Sequence, residues 1–361
     1  MAGAIMGLEQ FAEALEWQAR HAERNGAPAT ARVIRALAKL RDSDTATGRR
    51  IANWQGLTLK DALPLRVTGG LHHLVLTGAD RRLERVYAGQ VTAQEEIDAL
   101  VCELAQSFDT LLLPWLDRPP QTNEAGRSAS IMAGLLWLAR RAQPRFALFE
   151  TGASAGVNTM LDRFAFRLGE TEVGPAGSIM RIEPEWRGTS PPAPPEGFAI
   201  DALSGCDLAP IDLADPEAAL RLKAYVWPDA PGRLARIDAA IALASECAPE
   251  VARMDADAFV EQQLDRPQTV GTTCALFHSI MWQYLPAATQ DAISARMEAA
   301  GAEASEERPL AWLALETDPE TFAHDLTVRL WDGGEHRGQP VKLARAHPHG
   351  AWVEWLGGQG A

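Results

Sequence analysis

The sequence predicts an α/β protein in which an all-α N-terminal region precedes a mostly parallel sheet with a terminal antiparallel hairpin. In residues 8 to about 117, apolar side chains recur at helical spacing, and short polar or glycine-containing breaks separate the helices. From residue 146 onward, short apolar runs alternate with helical stretches, which is typical of a parallel sheet. Two β-like runs, 326–331 and 341–346, flank an Asp-Gly-Gly-Glu stretch and therefore predict a β-hairpin.

The sequence pattern divides the chain near residue 120. A proline-containing stretch, 113–120, closes the helical region 1–120. Residues 121–361 form the second region, a Rossmann-like domain in which strands and helices alternate. Segment 164–200 interrupts this alternation and is rich in proline, so we interpret it as an insertion.

Composition and charge narrow the possible classes of function. The chain has 361 residues, of which 47% are hydrophobic and 23% charged, as in ordinary soluble globular proteins. Its 34 basic and 48 acidic side chains give a net charge of −14, which disfavours nucleic acid and acidic membrane surfaces as partners. The four cysteines show no CxxC spacing, and the first residues show no basic segment leading into a long apolar run. We therefore expect a cytoplasmic protein with reduced thiols and no membrane segment.

The first predicted strand ends in a turn made of small residues. Glu150 is followed by Thr-Gly-Ala-Ser-Ala-Gly, and this acidic-x-Gly-x-small-x-Gly register resembles motif I of S-adenosylmethionine-dependent methyltransferases. Small residues let the backbone turn sharply, and the start of a following helix offers free N–H groups. The resemblance implies that Glu150, Gly152, Ser154 and Gly156 bind the cofactor. Ser154 departs from the motif, because it stands where the middle glycine is usual.

The same residues allow two other interpretations. The stretch Gly152-Ala-Ser154-Ala-Gly156 matches the G-x-S-x-G nucleophile elbow of serine hydrolases, and histidines downstream could complete a triad. Against a hydrolase, the upstream segment has a helical pattern and lacks the strands that would supply an oxyanion-hole loop. Glu150 would also oppose a developing oxyanion. The third interpretation is a tight strand-to-helix turn that binds no ligand.

A methyltransferase also needs polar groups after its second and third strands. Asp207, in the stretch Gly-Cys-Asp-Leu-Ala-Pro, resembles the acidic residue that binds the ribose hydroxyls, and Asp201 and Asp212 are alternatives. Asp255 and Ala256 resemble the G-D-A segment that contacts adenine in the same enzymes. Each of these aspartates could instead cap a helix.

Further candidates flank the predicted sheet. His278 follows the fourth predicted strand and is a candidate general base, because the unperturbed pKa of histidine lies near neutrality. Trp282 and Tyr284 are candidates for the wall of a substrate-binding pocket. Before the first strand, Arg127 could hold the cofactor's carboxylate by a bidentate contact, or could form a salt bridge with Glu124.

Distinctive stretches are spread over nearly the whole chain. They are Thr122–Ser128, Glu150–Asn158, Asp162–Phe164, Glu185–Gly188, Ala224–Asp229, His278–Ser279, Tyr284–Pro286, Pro309–Trp312 and His347–Gly350. Together they resemble an uncharacterised bacterial family defined only as a domain of unknown function, and this resemblance implies no reaction by itself. The last stretch holds two histidines but no third ligand nearby, so no metal site is predicted.

These patterns lead to one expected function and two alternatives. We expect a Rossmann-like methyltransferase sheet with S-adenosylmethionine as cofactor and a small molecule as methyl acceptor. Catalysis would come mainly from proximity and orientation, with His278 as a candidate base. The alternatives are a serine hydrolase that uses Ser154 and a non-catalytic methyltransferase-like binding module. The sequence predicts no nucleic-acid or membrane partner and leaves the oligomeric state open.

Overall fold

The structure, a computed structural model, describes residues 11–318 and 323–357. By its contacts the chain forms two compact units. The first unit runs up to Thr122 and also takes in Asp215–Asp238, and the second comprises Asn123–Ala214 and the chain from Ala239 onward. The sequence pattern does not separate Asp215–Asp238 from the second region, since its helices resemble those of a βαβ unit.

The described residues contain helices and strands throughout. The α-helices are α1 Phe11–Arg24, α2 Pro28–Arg41, α3 Ala46–Ala52, α4 Leu63–Leu76, α5 Arg82–Tyr87, α6 Gln94–Leu112, α7 Ser128–Leu138, α8 Pro216–Ala224, α9 Arg233–Glu246, α10 Ala256–Leu264 and α11 Ala287–Ala302. The strands are β1 Arg145–Thr151, β2 Ala165–Leu168, β3 Thr171–Val173, β4 Arg181–Ile182, β5 Glu185–Arg187, β6 Ala199–Asp207, β7 Val251–Arg253, β8 Thr272–Ser279, β9 Leu310–Thr317, β10 His324–Trp331, β11 Val341–Ala346 and β12 Trp352–Trp355.

The first unit is helical, built from α1 to α6 with α8 and the beginning of α9. Its core is a cluster of leucine, valine, isoleucine and alanine side chains from these helices. Asp229 caps the start of α2, because its carboxylate accepts hydrogen bonds from the N–H groups of Ala29 at 2.6 Å and Thr30 at 3.2 Å. His72 on α4 lies 3.1 Å from the carbonyl of Ala224 at the end of α8. These two contacts tie Asp215–Asp238 to the first unit.

The second unit is built on a nine-stranded sheet in which five of the eight neighbouring pairs are parallel. The strand order is β5-β12-β11-β10-β9-β8-β1-β6-β7. Strands β7, β6, β1, β8 and β9 form consecutive parallel pairs. The pairs β9–β10, β10–β11 and β11–β12 are antiparallel, so the antiparallel part is larger than the two-stranded hairpin predicted. The short edge strand β5 pairs parallel to β12.

Helices cover both faces of this sheet. On one face, α7 approaches β9 and β10 so closely that a Cβ on Gly134 would lie 2.8 Å from Leu313. On the other face, α10 packs its Phe259 ring edge-on to Phe149 of β1, with centroids 6.3 Å apart. Helix α11 packs on the same face as α10, where Gly301 lies against Trp331. The second unit is therefore a mixed α/β structure with a mostly parallel sheet at its centre.

Two segments differ from the regular strand–helix alternation. The predicted insertion forms a separate small sheet in the order β3-β2-β4, and its end contributes β5 to the large sheet. The helix predicted after β1 is a 3₁₀ helix of six residues, Asn158–Arg163. Among the described residues, no helix is both long and apolar enough to cross a membrane.

Candidate functional site

The topology marks one place on the sheet as a candidate ligand site. Along the chain the parallel strands come in the order β1, β6, β7, β8, β9, and their position in the sheet reverses between β1 and β8. In open α/β sheets, ligands bind outside the carboxyl ends of the strands at such a switch point. Two segments lie at this switch point: residues 152–157, which we call the β1 turn, and residues 280–285, which we call the β8 loop.

The β1 turn is built from residues in the left-handed conformation. The φ angle is 69° at Gly152, 54° at Ser154 and 71° at Gly156. Glycine adopts these angles freely, whereas for serine the conformation is strained. Ala153 donates its N–H to a carbonyl at the end of β6, and a Cβ on Gly205 of that strand would lie only 2.7 Å from the Ala153 Cβ. The small residues of the motif therefore allow the turn to pack directly on β6.

Asp207 ends β6 and braces the β1 turn. Its Oδ2 accepts a hydrogen bond from the N–H of Ser154 at 2.9 Å, and its Oδ1 accepts one from the main chain two residues on. The alternatives lie elsewhere, because Asp201 pairs with Arg145 at the other end of the strands and Asp212 bonds within its own loop. Of the three candidates for a ribose contact, Asp207 is the one beside the turn.

Asp255 follows the outermost parallel strand, β7. Its side chain caps α10 by accepting a hydrogen bond from the N–H of Asp257 at 3.3 Å, and Ala256 is the buried first residue of that helix. Met254 donates its N–H to the carbonyl of Asp207, so the ends of β6 and β7 lie together. The capping role matches the alternative interpretation of the sequence, and a contact with adenine stays a prediction.

Several buried polar atoms of β1, the β1 turn and Asn158 lack hydrogen-bond partners. The Glu150 and Asn158 side chains are each 1% exposed. Within the described ranges, Glu150 Oε2, Ser154 Oγ and both polar side-chain atoms of Asn158 lack a hydrogen-bond partner. Burial raises the pKa of Glu150 to about 8, and the charge of Asp207 acts in the same direction, while Asn158 and Arg127 lower it. Since native proteins seldom leave buried polar atoms unpaired, these residues are candidates for a ligand site.

Arg127 braces two loops beside the β1 turn. Its Nε donates to the carbonyl of Pro348 at 2.9 Å, and its Nη1 donates to the carbonyl of Ser279 at 3.3 Å. Gly126 lets the backbones meet, because a Cβ there would lie 2.5 Å from the carbonyl oxygen of His349. The distinctive stretches 122–128 and 347–350 are therefore in direct contact. The contact of Arg127 with a cofactor carboxylate stays a prediction.

His278 lies within β8, and both of its ring nitrogens are occupied. The indole N–H of Trp312 donates to His278 Nε2 at 2.9 Å, so the ring carries its proton on Nδ1 and donates it to Glu316 at 2.6 Å. Glu316 also accepts from the N–H groups of Met281 and Trp282. The Trp282 ring stacks on the imidazole with centroids 5.0 Å apart. This arrangement leaves no nitrogen of His278 free to act as the predicted general base, and the residue holds the β8 loop instead.

The β8 loop crosses close to the β1 turn. Ile280 has a φ of 52°, which is strained for a β-branched residue. The Met281 side chain lies against Gly152, where a Cβ would be 2.9 Å from its Cβ, Cγ and Cε. Of the two predicted substrate-binding residues, Trp282 is half-buried and Tyr284 is 75% exposed. Both stand on this loop at the switch point.

In the described part of the chain, Ser154 is not paired with a histidine and no metal site is assembled. Ser154 Oγ is buried and makes no hydrogen bond to a histidine within the described residues. His347 accepts a hydrogen bond on Nδ1 from the N–H of His349 at 3.1 Å. Across residues 11–318 and 323–357, no group of three or more His, Cys, Asp or Glu side chains is arranged to hold a metal ion.

Three residues of the site were missed by sequence reasoning. Asn158 stands in a distinctive stretch but carried no role, because its lack of a partner can be seen only once the turn is folded. Glu316 is 38 residues beyond His278 and meets it because β8 and β9 are neighbours. Met281 reaches Gly152 for the same reason, since β1 and β8 are adjacent.

The fold and the site describe an open α/β protein with a polar, strained turn at its topological switch point. The chain belongs to the family DUF2332, described as an uncharacterized protein conserved in bacteria, whose sequence profile matches residues 12–355. Comparisons with curated proteins and with solved structures find no match.

Proposed function

We propose that this protein binds S-adenosylmethionine at the switch point and transfers its methyl group to a small-molecule acceptor. The observation that carries the proposal is a row of acidic side chains at one edge of the sheet. Glu150 lies at the end of β1, Asp207 ends β6 and Asp255 follows β7, and these three strands are neighbours. A nucleoside lying along this edge would meet a hydrogen-bond acceptor at each strand.

The residues at the site fit the parts of this cofactor. The carboxylate oxygens of Asp207 each accept one main-chain hydrogen bond and retain capacity for the ribose hydroxyls. The unpartnered side-chain atoms of Glu150, Ser154 and Asn158 fit its polar amino-acid end. Asp255, one strand further out, would accept a hydrogen bond from the adenine amino group.

The chain's own residues would act by orientation. When bound, S-adenosylmethionine supplies an electrophilic methyl group. Arg127 and Glu316 hold the loops at the switch point, and Trp282 and Tyr284 on the β8 loop would form the acceptor side. Because His278 is engaged by Trp312 and Glu316, we assign it a positioning role and expect rate enhancement mainly from proximity.

Isothermal titration with S-adenosylhomocysteine, the demethylated product of the cofactor, tests the proposal. We expect binding by the full chain and a loss of at least about tenfold in affinity for Asp207→Asn, since a charged hydrogen-bond acceptor is removed. Asp201→Asn is the matched control, because Asp201 lies on the same strand but pairs with Arg145 away from the turn. Equal affinity of the two variants would contradict the proposed ribose contact, and no binding by the wild type would overturn the function.

Two other outcomes identify the alternatives. Labelling by a fluorophosphonate that disappears in Ser154→Ala would indicate a serine hydrolase, which the left-handed conformation of Ser154 in a G-x-S-x-G turn favours. The unpaired Ser154 Oγ and the engaged His278 give this reaction no assembled base. Binding of S-adenosylhomocysteine without methyl transfer to any acceptor in a broad panel would indicate a binding module.

A further inference from the structure

One residue of the β1 turn opens to the surface. From Thr151 to Leu161 every residue is buried except Gly152, which is half-buried. The unpartnered Oγ of Ser154 and the unpartnered side-chain atoms of Asn158 belong to the buried part of this segment. A ligand that contacts the segment must therefore approach it at Gly152.

The side chain of Met281 covers this opening. A Cβ added to Gly152 would lie 2.9 Å from each of the Cβ, Cγ and Cε atoms of Met281, and these are the three atoms nearest to it. This distance is shorter than the separation of two carbon atoms in van der Waals contact, about 3.5 Å. The methionine therefore lies directly on the glycine along most of its length. It occupies the space that a ligand would need in order to touch Gly152.

The backbone of the β8 loop is fixed around Met281. Ile280 donates its N–H to the carbonyl of Leu315 at 2.9 Å. Met281 and Trp282 donate theirs to the Glu316 carboxylate at 3.1 and 3.3 Å. Moving the loop as a whole would break all three hydrogen bonds, so the structure opposes such a movement.

The side chain of Met281, by contrast, can move alone. It is half-buried, and methionine is unbranched with three rotatable bonds, so it changes shape at low cost. Trp282 and Leu285 of the same loop pack against the apolar cluster beneath α10 and α11, whereas Met281 lies on the β1 turn. Rotation about the side-chain bonds of Met281 would uncover Gly152 while the hydrogen bonds of the loop stay intact.

We propose that Met281 is a gate over the β1 turn, and that its side chain leaves Gly152 when a ligand binds. While the side chain lies on Gly152, the turn is closed. The apparent affinity for a ligand is then reduced in proportion to the fraction of molecules that are open. The inference rests on the proposed function, because it concerns access to the same site. Met281 controls this access and takes no part in the chemistry.

Isothermal titration of the full chain with S-adenosylhomocysteine measures the effect of the gate on affinity. Met281→Ala should bind about three- to tenfold more tightly than the wild type, because it lacks the Cγ and Cε contacts that the wild type must break. Met281→Leu keeps an apolar side chain of similar volume and should stay within about twofold of the wild type. Gln283→Ala, which changes an exposed residue of the same loop, is the matched control and should bind as the wild type does.

The movement itself can be followed by NMR of the full chain labelled with ¹³C at the methionine methyl groups. The chain has eight methionines, and the Met281 signal is the one missing from the spectrum of Met281→Leu. We expect S-adenosylhomocysteine to shift this signal, because the methyl group leaves Gly152. The signal of Met297, which is fully buried in the core beneath α11 and is assigned in the same way from Met297→Leu, should stay in place. The wild type gives this result even if Met281→Ala fails to fold.

The outcomes separate the gate from the proposed function. An affinity of Met281→Ala equal to or weaker than that of the wild type would overturn the gate. A Met281 signal that does not move when the wild type is saturated would overturn it as well, and in both cases binding itself leaves the proposed function standing. Binding by Met281→Ala but not by the wild type would support both. No binding by either protein would overturn both.

Discussion

At the scale of single residues, Glu150 lies in an unusual environment for a carboxyl group. Its side chain is 1% exposed, and its Oε2 has no hydrogen-bond partner within the described residues. Isolating a carboxylate from water in this way costs free energy, so the folded protein favours the protonated acid. Arg127 reduces this cost without removing it, because burial is the largest influence on the pKa.

This environment predicts a stability that falls as pH rises. Burial raises the pKa of Glu150 from 4.5 to about 8, so between these values the folded state keeps a proton that the unfolded state releases. Below about pH 4.5 both states are protonated, and the stabilisation of the acid form is then lost as pH rises through about 8. We expect Glu150→Gln to gain stability relative to the wild type over this range, by on the order of 5 kcal/mol at most.

Urea denaturation of the two proteins at several pH values measures this difference. Glu172→Gln, which changes an exposed carboxylate, should run parallel to the wild type across the whole range. If the difference between Glu150→Gln and the wild type were the same at all pH values, Glu150 would not be the buried acid described here.

At the scale of elements, the contact between the segment before α7 and the loop between β11 and β12 organises the site. Gly126 and Gly350 meet backbone to backbone, since a Cβ on Gly350 would lie 2.3 Å from the carbonyl carbon of Gly126. Beside this contact, Arg127 donates to the carbonyls of Pro348 and Ser279. One arginine thereby fixes two loops at the carboxyl edge of the sheet.

A methyl group added at this contact should destabilise the second unit. In Gly126→Ala the new Cβ would lie 2.5 Å from the His349 carbonyl oxygen, and a main-chain atom cannot move aside as a side chain can. We expect a loss of about 1–3 kcal/mol in the free energy of unfolding, measured by urea denaturation. Gly177→Ala is the control, because no atom lies within 4 Å of its added Cβ, and it should change stability by less than about 0.5 kcal/mol. Equal stability of the two variants would show that the loops are not in close contact.

The elements that the sequence predicted well are those marked by local patterns. The strand before Glu150 and the strand containing His278 were recognisable as compact apolar runs, and the hairpin β10–β11 was recognisable from its turn residues. The short helical stretch predicted after the β1 turn is confirmed, and it takes the form of the 3₁₀ helix Asn158–Arg163.

Partners that depend on strand register could not be predicted. His278 lies opposite Ala314 in the β8–β9 pair, so Trp312 and Glu316, two residues to either side, flank it on the same face. The positions of the acidic residues at the ends of β1, β6 and β7 were predictable because each lies at the end of its own strand or just after it. Their candidate roles could therefore be proposed from the sequence. The hydrogen bonds of His278 to Trp312 and Glu316 could be recognised only once the strand pairing was known.

At the scale of the whole molecule, the two units contain buried groups that respond to pH in opposite directions. In the first unit, burial lowers the pKa of His72 to about 4, and that of the half-buried His21 to about 4 as well. In the second unit, burial raises the pKa of Glu150. As pH falls from about 6.5 to 4, the histidines favour unfolding, because the unfolded chain binds protons that the folded unit excludes. Over the same interval Glu150 favours folding of its own unit.

The last prediction follows from His72, which is 3% exposed and lies 3.1 Å from the carbonyl of Ala224. The neutral His72 side chain stabilises the folded state fully above about pH 6.5. This stabilisation is lost as the pH falls through about 4, by about 3 kcal/mol in total. We expect His72→Gln to be less stable than the wild type at neutral pH but to lose less stability on acidification. Urea denaturation followed by circular dichroism at about 222 nm, where the helical signal dominates, measures both effects. Glu172→Gln, which changes an exposed carboxylate of the second unit, is the control and should lose stability on acidification as the wild type does. An acid sensitivity of His72→Gln equal to that of the wild type would mean that other groups govern the first unit at low pH.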